Sequence, residues 1–263
     1  NTRGCFSDVP MLQYVTEGPD GGLRVLEYTV IFSNEDGGTS SRNLMARWGR
    51  VTDIEYVYRV WIDSPGKKVK TLIQTRDHKD VPYQGAHFHD HPLLQPVTDN
   101  NMVEPAPPDA SPLRFHLCPI PMDLSRGSRE LVMDDEPWTY VIARKEMERE
   151  KKLRAPMSVD GETIADPRNY LTVEMQIELK DAVVQVFAVM PDRKKMYGSA
   201  SGRAAGYVDR NGWVRVSIEL PPGQGISALA LECMTKTDPR SRQNPASGRC
   251  ELKGFGKVFF AGD

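Results

Sequence analysis

Hydrophobic and polar residues alternate along several stretches of the chain. In the segment 171–179, LTVEMQIEL, apolar side chains occupy every second position and polar side chains lie between them. WVRVSIEL, 213–220, repeats the pattern just after Asn211-Gly212, which is a strong turn signal. A period of two is typical of a strand with one buried face and one solvent face. The pattern therefore predicts half-buried antiparallel strands.

More strands are predicted on both sides of the most regular ones, because apolar and β-branched residues are concentrated in the segments 24–32, 51–62, 68–75, 182–189, 226–233 and 250–260. Gly254 and Gly256 in the last segment indicate a bulge or close packing. The predicted fold class is therefore mostly β, an antiparallel β-sandwich or jelly roll.

One segment has the character of a helix. DEPWTYVIARKEMEREKKL, about 135–153, has Pro137 in its first turn, acidic residues at its start and basic residues near its end, as the helix dipole favours. It predicts a single flanking α-helix, whereas the proline-rich segment 104–112 predicts a loop. A boundary near residue 155 would separate a β-rich part with one helix, 1–154, from a sandwich part, 155–263. One continuous domain is the alternative.

Composition excludes some classes of function. The formal net charge is −2 and the 34 basic residues are distributed along the chain, which argues against nucleic acid as the partner. No apolar run reaches the roughly 20 residues that a membrane-spanning helix needs, and the first ten residues lack the apolar core of a signal peptide. The oligomeric state is not specified by these features.

The four cysteines are widely spaced, which favours two disulfides over a zinc ribbon. We expect one bond between Cys233 and Cys250 and one between Cys5 and Cys118. The alternative is four reduced, buried cysteines of a cytosolic protein. Disulfides favour an exported protein, which is secreted, periplasmic or held at the cell surface.

Four of the five histidines lie within fourteen residues, and three of them alternate in HFHDHP, 87–92. If this segment is extended, alternate imidazoles project to one side and can bind one divalent metal such as zinc, copper or manganese, with calcium less favoured. Pro92 restricts His91, so we expect His87 and His89 to be the ligating pair. Further ligands would come from His78, His116 or Asp90. The alternative is a polar surface loop.

The segment 47–61, RWGRVTDIEYVYRVW, suggests carbohydrate chemistry. On a regular strand Asp53, Glu55, Arg59 and Trp61 share one face, and paired carboxylates can act in glycoside hydrolysis. Asp53-Ile54-Glu55 resembles part of the E-x-D-x-x-E or E-x-D-x-E strand of laminarinase-like β-sandwich hydrolases. Val51 stands where that family has its nucleophilic glutamate, so no catalytic role is transferred. The alternative is that both carboxylates pair with arginines on a solvent face.

Oxygen-bearing side chains follow one another at Thr98, Asp99, Asn100 and Asn101. Such a group suits sugar hydroxyls or calcium, although Asp and Asn at this density more often form a turn. Trp48 and Trp61 are candidate sugar-stacking residues.

Two functional hypotheses follow. The first is an exported carbohydrate-directed enzyme, a hydrolase or lyase that acts with or without a metal, with Asp53 and Glu55 as catalytic residues. Its substrate contacts would be Trp48, Arg59, Trp61, Asp99, Asn100 and Asn101. The second is a non-catalytic module that binds a glycan or polysaccharide, or that serves an extracellular assembly. Because sandwich folds host both, fold class does not decide between them.

Overall fold

A computed structural model describes residues 8–35, 37–109, 114–158, 161–237 and 247–260. These residues form mostly strands in antiparallel sheets with few helices, which confirms the predicted fold class. The chain divides into two compact units. The first consists of the residues up to Gly38 together with Thr52–Ser125, and the second of Thr39–Val51 together with Arg126–Asp263. The division predicted near residue 155 falls inside the second unit.

The first unit is built on a six-stranded sheet with two small hairpins. Its strands are β1 (Pro10–Asp20), β2 (Leu23–Phe32), β3 (Asp53–Ile62), β4 (Lys68–Thr75), β5 (Lys79–Pro82), β6 (His87–Phe88), β7 (His91–Pro92), β8 (Leu94–Pro96), β9 (Val103–Pro105) and β10 (Pro119–Pro121). The sheet order is β10-β1-β2-β3-β4-β5, with only β10 parallel to its neighbour. Apolar side chains of β2, β3 and β4, including Val30, Val60 and Ile73, form the core of this unit.

The second unit contains the helices and the remaining strands. Its elements are α1 (Ser41–Trp48), α2 (Leu131–Asp135), α3 (Trp138–Arg149), β11 (Leu153–Arg154), β12 (Ile164–Ala165), β13 (Tyr170–Lys180), β14 (Ala182–Val189), β15 (Met196–Gly198), β16 (Gly212–Glu219), β17 (Ala228–Thr235) and β18 (Arg249–Phe260). One sheet has the order β16-β13-β18 and a second has the order β15-β14-β17.

These two sheets pack as a sandwich. Alternate apolar residues of β13 and β16, such as Val173 and Val216, meet Val184 and Val186 of β14 in a core from which water is excluded. The predicted disulfide Cys233–Cys250 is present and joins β17 of one sheet to β18 of the other. Of the other predicted pair, Cys118 is exposed and has no disulfide among the described residues, and Cys5 lies outside them.

The helix prediction needs correction. The expected helix is present but shorter, since α3 begins at Trp138 and ends at Arg149. Two helices were missed within the described part of the chain, α1 and α2. Helix α1 has eight residues and ends where Gly49 adopts the left-handed conformation, with φ 68°. Such a short helix gives little periodic signal. The expected loop 104–112 has its first two residues in β9, and its residues 110–112 lie outside the described ranges.

The expectation of a solvent face on β13 and β16 is wrong for four of the seven polar positions. Gln176 and Glu178 are exposed as predicted, but a layer that includes α1 covers the neighbouring side chains. The buried polar residues on this face are Thr172, Glu174, Arg215 and Ser217. This sheet is therefore buried on both faces along part of its length.

Candidate functional site

Asp53 and Asn101, which were predicted as a catalytic residue and a substrate contact, are brought together in the first unit. The side-chain Nδ2 of Asn101 donates to Oδ2 of Asp53 at 3.0 Å and to Oδ2 of Asp8 at 3.0 Å. It also donates to the backbone oxygen of Asn34 at 3.2 Å. All four residues are buried. One amide therefore holds two carboxylates, and Asp53 is an interior acceptor rather than a group that faces substrate.

The segment after the histidines is a turn. The backbone N of Asn101 donates to the oxygen of Thr98 at 3.1 Å, and Asn101 has a positive φ of 55°. The hydroxyl of Thr98 accepts from the backbone N of Met102 at 2.9 Å. The oxygen of Asp99 accepts from the backbone N of Gly37 at 3.1 Å. The turn alternative is confirmed, and it points the Asn101 side chain inward.

A bulge in β3 separates the predicted catalytic pair from the predicted substrate contacts. Pairing with β2 shifts register between Tyr56 and Tyr58, so Val57 has no direct partner. The guanidinium of Arg59 lies 4.4 Å from the ring of Tyr56, which places these two side chains on one face. Glu55 alternates with Tyr56 and so lies on the other face. The expectation that Asp53, Glu55, Arg59 and Trp61 share a face is therefore wrong.

Glu55 has its own neighbour. Its Oε2 lies 4.0 Å from Nδ1 of His78, which is more than half exposed. His78 itself has a positive φ of 56° in the turn between β4 and β5. Glu55 and Asp53 thus have different polar neighbours.

A shallow depression lies on the Arg59 face of the first unit, with a volume of about 330 Å³. We call it the sheet groove; it is lined by Thr16, Glu17, Gly18, Pro19, Asp20, Val25, Glu27, Arg59 and Trp61. Strands β1, β2 and β3 each supply part of the lining. Three carboxylates and one guanidinium therefore face the same small volume.

Polar contacts fix the groove side chains. Arg59 Nε donates to Glu27 Oε2 at 2.8 Å, and Nη1 of Arg59 lies 3.4 Å from Asp80. Trp61 Nε1 donates to Asp20 Oδ2 at 2.7 Å. Burial lowers the pKa of Arg59, but the bond and charge of Glu27 outweigh it and raise the pKa, so Arg59 stays charged. Burial and the bond to Asp80 raise the pKa of Tyr56, which stays protonated.

The histidines do not converge as expected. His87 begins the β6–β7 hairpin and contacts Tyr83 edge to face, while His89 lies in the hairpin turn with a φ of 53°. His91, expected to turn away, has its ring centroid 4.5 Å from that of His116. In the described part of the chain, these histidines and Asp90 form no group of three with ligand atoms within 4.8 Å of one another. His116, one of the predicted ligands, therefore lies next to His91.

Trp48 ends α1 in the second unit, whereas Trp61 lies on β3 in the first unit. Its ring lies 4.5 Å from the guanidinium of Arg47 and 5.0 Å from that of Arg210. Two cations therefore occupy ring surface that was predicted to stack on a sugar.

Sequence reasoning missed a buried ion network in the second unit. Arg215 is fully buried; its Nη2 donates to Glu174 at 2.8 Å and its Nη1 to Asp134 at 2.9 Å. Tyr140 donates to Asp134, and Lys257 pairs with the same carboxylate at 2.9 Å. The polar positions of β13 and β16 carried a signal for this network, but alternation alone gives the same pattern for a solvent face.

Comparison with protein-family models, curated proteins and solved structures gives no match for this chain. No helix in the described ranges combines the length and apolar character needed to cross a membrane.

Proposed function

We propose that this protein is exported and binds carbohydrate through the sheet groove, as a non-catalytic module. The observation that carries the proposal is Arg59, held by Glu27 and Asp80 beside Asp20 and Trp61. Fixed carboxylates and a planar guanidinium offer acceptors and donors in set directions, as the hydroxyl groups of a sugar require. Such preorganised groups bind without ordering new side chains.

The polar side chains supply most of this binding. Trp61 is 6% exposed and Lys70 lies 4.5 Å from its ring, so little ring surface is open for stacking. The groove is shallow and open, which suits one or two sugar units at the edge of a longer chain rather than a fully enclosed ligand. The proposed partner is therefore a glycan or polysaccharide that binds at the open surface of the groove.

The binding module is favoured over the hydrolase or lyase because of where the carboxylates lie. Asp53 is buried against Asn101, and Glu55 is on the face opposite Arg59. Within the groove, Asp20 accepts from Trp61 and Glu27 accepts from Arg59. In the groove these carboxylates are engaged as hydrogen-bond acceptors, whereas glycoside hydrolysis needs one carboxyl group that is placed to donate a proton.

Export is supported by the Cys233–Cys250 disulfide. Disulfides persist in oxidising compartments and are rare in the cytosol. The proposed location is therefore secreted, periplasmic or at the cell surface.

The test is a glycan array with the full chain, followed by calorimetric titration of each hit. Arg59→Gln removes the central cation, and Arg76→Gln is the matched control, since Arg76 is exposed and pairs with Glu104 elsewhere in the same unit. We expect Arg59→Gln to weaken binding by about tenfold or more, the value of one charge-assisted hydrogen bond, and Arg76→Gln to leave it unchanged.

Any of three results would overturn the proposal. The first is an array without hits, and the second is equal affinity of Arg59→Gln and the unmodified protein. The third is release of reducing ends from a hit glycan that is lost in Glu55→Gln, which would establish the hydrolase instead. Thermal unfolding of each variant verifies that it is folded.

A further inference from the structure

A cluster of arginines surrounds Trp48 in the second unit. Arg47 and Trp48 end helix α1, and Arg210 approaches from the segment before β16. Arg210 Nη2 donates to the backbone oxygen of Arg47 at 2.6 Å. Arg47 Nη2 donates to Asp209. Each guanidinium is thus anchored through one nitrogen, which fixes both groups beside the indole.

Positive charges are crowded at this cluster. Arg47, Arg50 and Arg129 all act on Arg210 as like charges. Burial, followed by these charges, lowers the pKa of Arg210 to about 10 despite the opposite charge of Glu130. Asp209, which accepts from Arg47, is also shared with Lys236 at 3.4 Å. Arg210 therefore lies among three like charges.

Two of the donors lack an acceptor. Nη1 of Arg210 and Nε of Arg47 are buried from solvent and have no hydrogen-bond partner among the described residues. A buried donor without an acceptor destabilises the fold, and more so when it is charged. Both donors belong to the guanidinium groups that lie beside Trp48. The side chain of Arg47 is 25% exposed, so the cluster remains open to solvent at one edge.

We infer that this cluster is a binding site for a tetrahedral oxyanion of the phosphate or sulfate type. Guanidinium groups bind such anions through paired N–H donors, and an anion also offsets the crowding of positive charge. The Arg47 and Arg210 guanidiniums supply the direct contacts, and Arg50 and Arg129 add to the positive electrostatic potential at the site. The anion is either free or esterified to a larger molecule. The site is independent of the sheet groove, which belongs to the first unit.

The experiment titrates the full chain with inorganic phosphate and, separately, with inorganic sulfate at neutral pH. Sodium chloride keeps ionic strength constant, because screening alone changes the stability of charged clusters. We expect saturable binding by calorimetry and a saturable rise in melting temperature. Arg210→Gln should weaken binding about tenfold or more, and Arg193→Gln, an exposed hairpin residue of the same unit, should not.

Arg210→Gln should fold without the anion, since it removes a cation from a crowded cluster, and its melting temperature should no longer respond to phosphate. If it does not fold, the more exposed Arg47→Gln takes its place with the same expected loss of binding. A response to phosphate no larger than to chloride, or equal affinity of the cluster variants and Arg193→Gln, overturns the inference. An array of sulfated and phosphorylated compounds then separates a free anion from an ester.

Discussion

Arg215 and Glu174 form an ion pair with a nitrogen–oxygen distance of 2.8 Å, although their side chains are only 1% and 2% exposed. Three glycines make this arrangement possible. A Cβ on Gly49 would lie 2.8 Å from Cγ of Arg215, and a Cβ on Gly127 or Gly256 would lie 3.0 Å or 2.5 Å from Oε1 of Glu174. Side chains at these positions would displace the pair, so the missing Cβ atoms are part of the ion site.

Loss of the cation should strongly destabilise the second unit. Arg215→Met leaves Glu174 and Asp134 buried without their shared partner. Breaking a buried pair in this way costs about 3–5 kcal/mol. Urea unfolding measures the change. Arg76→Gln, which breaks an exposed pair with Glu104, should change stability little. Equal effects of the two variants would mean that the buried pair is not important for stability.

Gly256→Ala tests the packing against Glu174 directly. The added Cβ meets the Glu174 side chain at 2.5 Å, so we expect a loss of about 1–3 kcal/mol from overpacking. The matched control is Gly254→Ala on the same strand, where nothing lies within 4 Å of the added Cβ. The denaturant midpoints of the two variants are compared. A midpoint for Gly254→Ala as low as that for Gly256→Ala would mean that alanine destabilises this strand at either position, without a clash with Glu174.

Acid should weaken the fold through Glu130. Burial raises the pKa of this carboxyl, but the charges of Arg50, Arg129, Arg215 and Arg210 outweigh it and lower the pKa to about 2. Because the folded pKa lies below the ordinary value of 4.5, the ionised group stabilises the fold above that value. This contribution is lost as pH falls from 4.5 towards about 2.

Glu130→Gln checks this dependence. The variant should be less stable than the unmodified protein at neutral pH, and the difference should shrink as pH falls through the window given for Glu130. Stability is measured by urea unfolding at a series of pH values. Glu148→Gln, an exposed helix residue, should give a curve parallel to that of the unmodified protein. A difference for Glu130→Gln that stays constant with pH would contradict the charge argument.

The Cys233–Cys250 disulfide should stabilise the sandwich. The bond joins residues 17 apart in sequence and links the two sheets. Replacing both cysteines by alanine should cost about 2–5 kcal/mol. Peptide mapping without reductant should recover one peptide pair containing these cysteines, and recovery of both as free thiols would remove the main support for export.

A divalent metal at the histidines stays a prediction, and the structure changes the residues that should matter. The rings of His91 and His116 lie 4.5 Å apart, whereas His89 lies in the hairpin turn. In zinc titrations at neutral pH, His116→Ala should therefore weaken binding more than His89→Ala does. Binding should weaken as pH falls, since imidazole must be neutral to ligate. If zinc, copper and manganese bind neither to the unmodified protein nor to the two variants, the segment is a surface loop.

Strand positions were predictable from sequence because their signal is local. The segments 68–75 and 182–189 match β4 and β14 residue for residue. The proximity of Asp53 and Asn101 was anticipated, but their burial was not, since it depends on Asp8 and Asn34 from other segments. The burial of Arg215 against Gly49 was not predictable either, because the two residues are 166 positions apart in the chain. The sequence of neither segment indicates their contact. The bulge at Val57 reversed a face assignment that assumed regular alternation.

The membership of α1 in the second unit has a consequence for synthesis. The hydroxyl of Ser217 donates to the oxygen of Gly49 across a sequence separation of 168, and Arg50 pairs with Glu130 across 80. Helix α1 leaves the ribosome long before its partner strand β16. The helix therefore lacks this packing partner until most of the chain has been made. Closing such distant contacts slows folding. The second unit should thus become protease-resistant only after β16 has emerged, late in translation, although its first helix is made early.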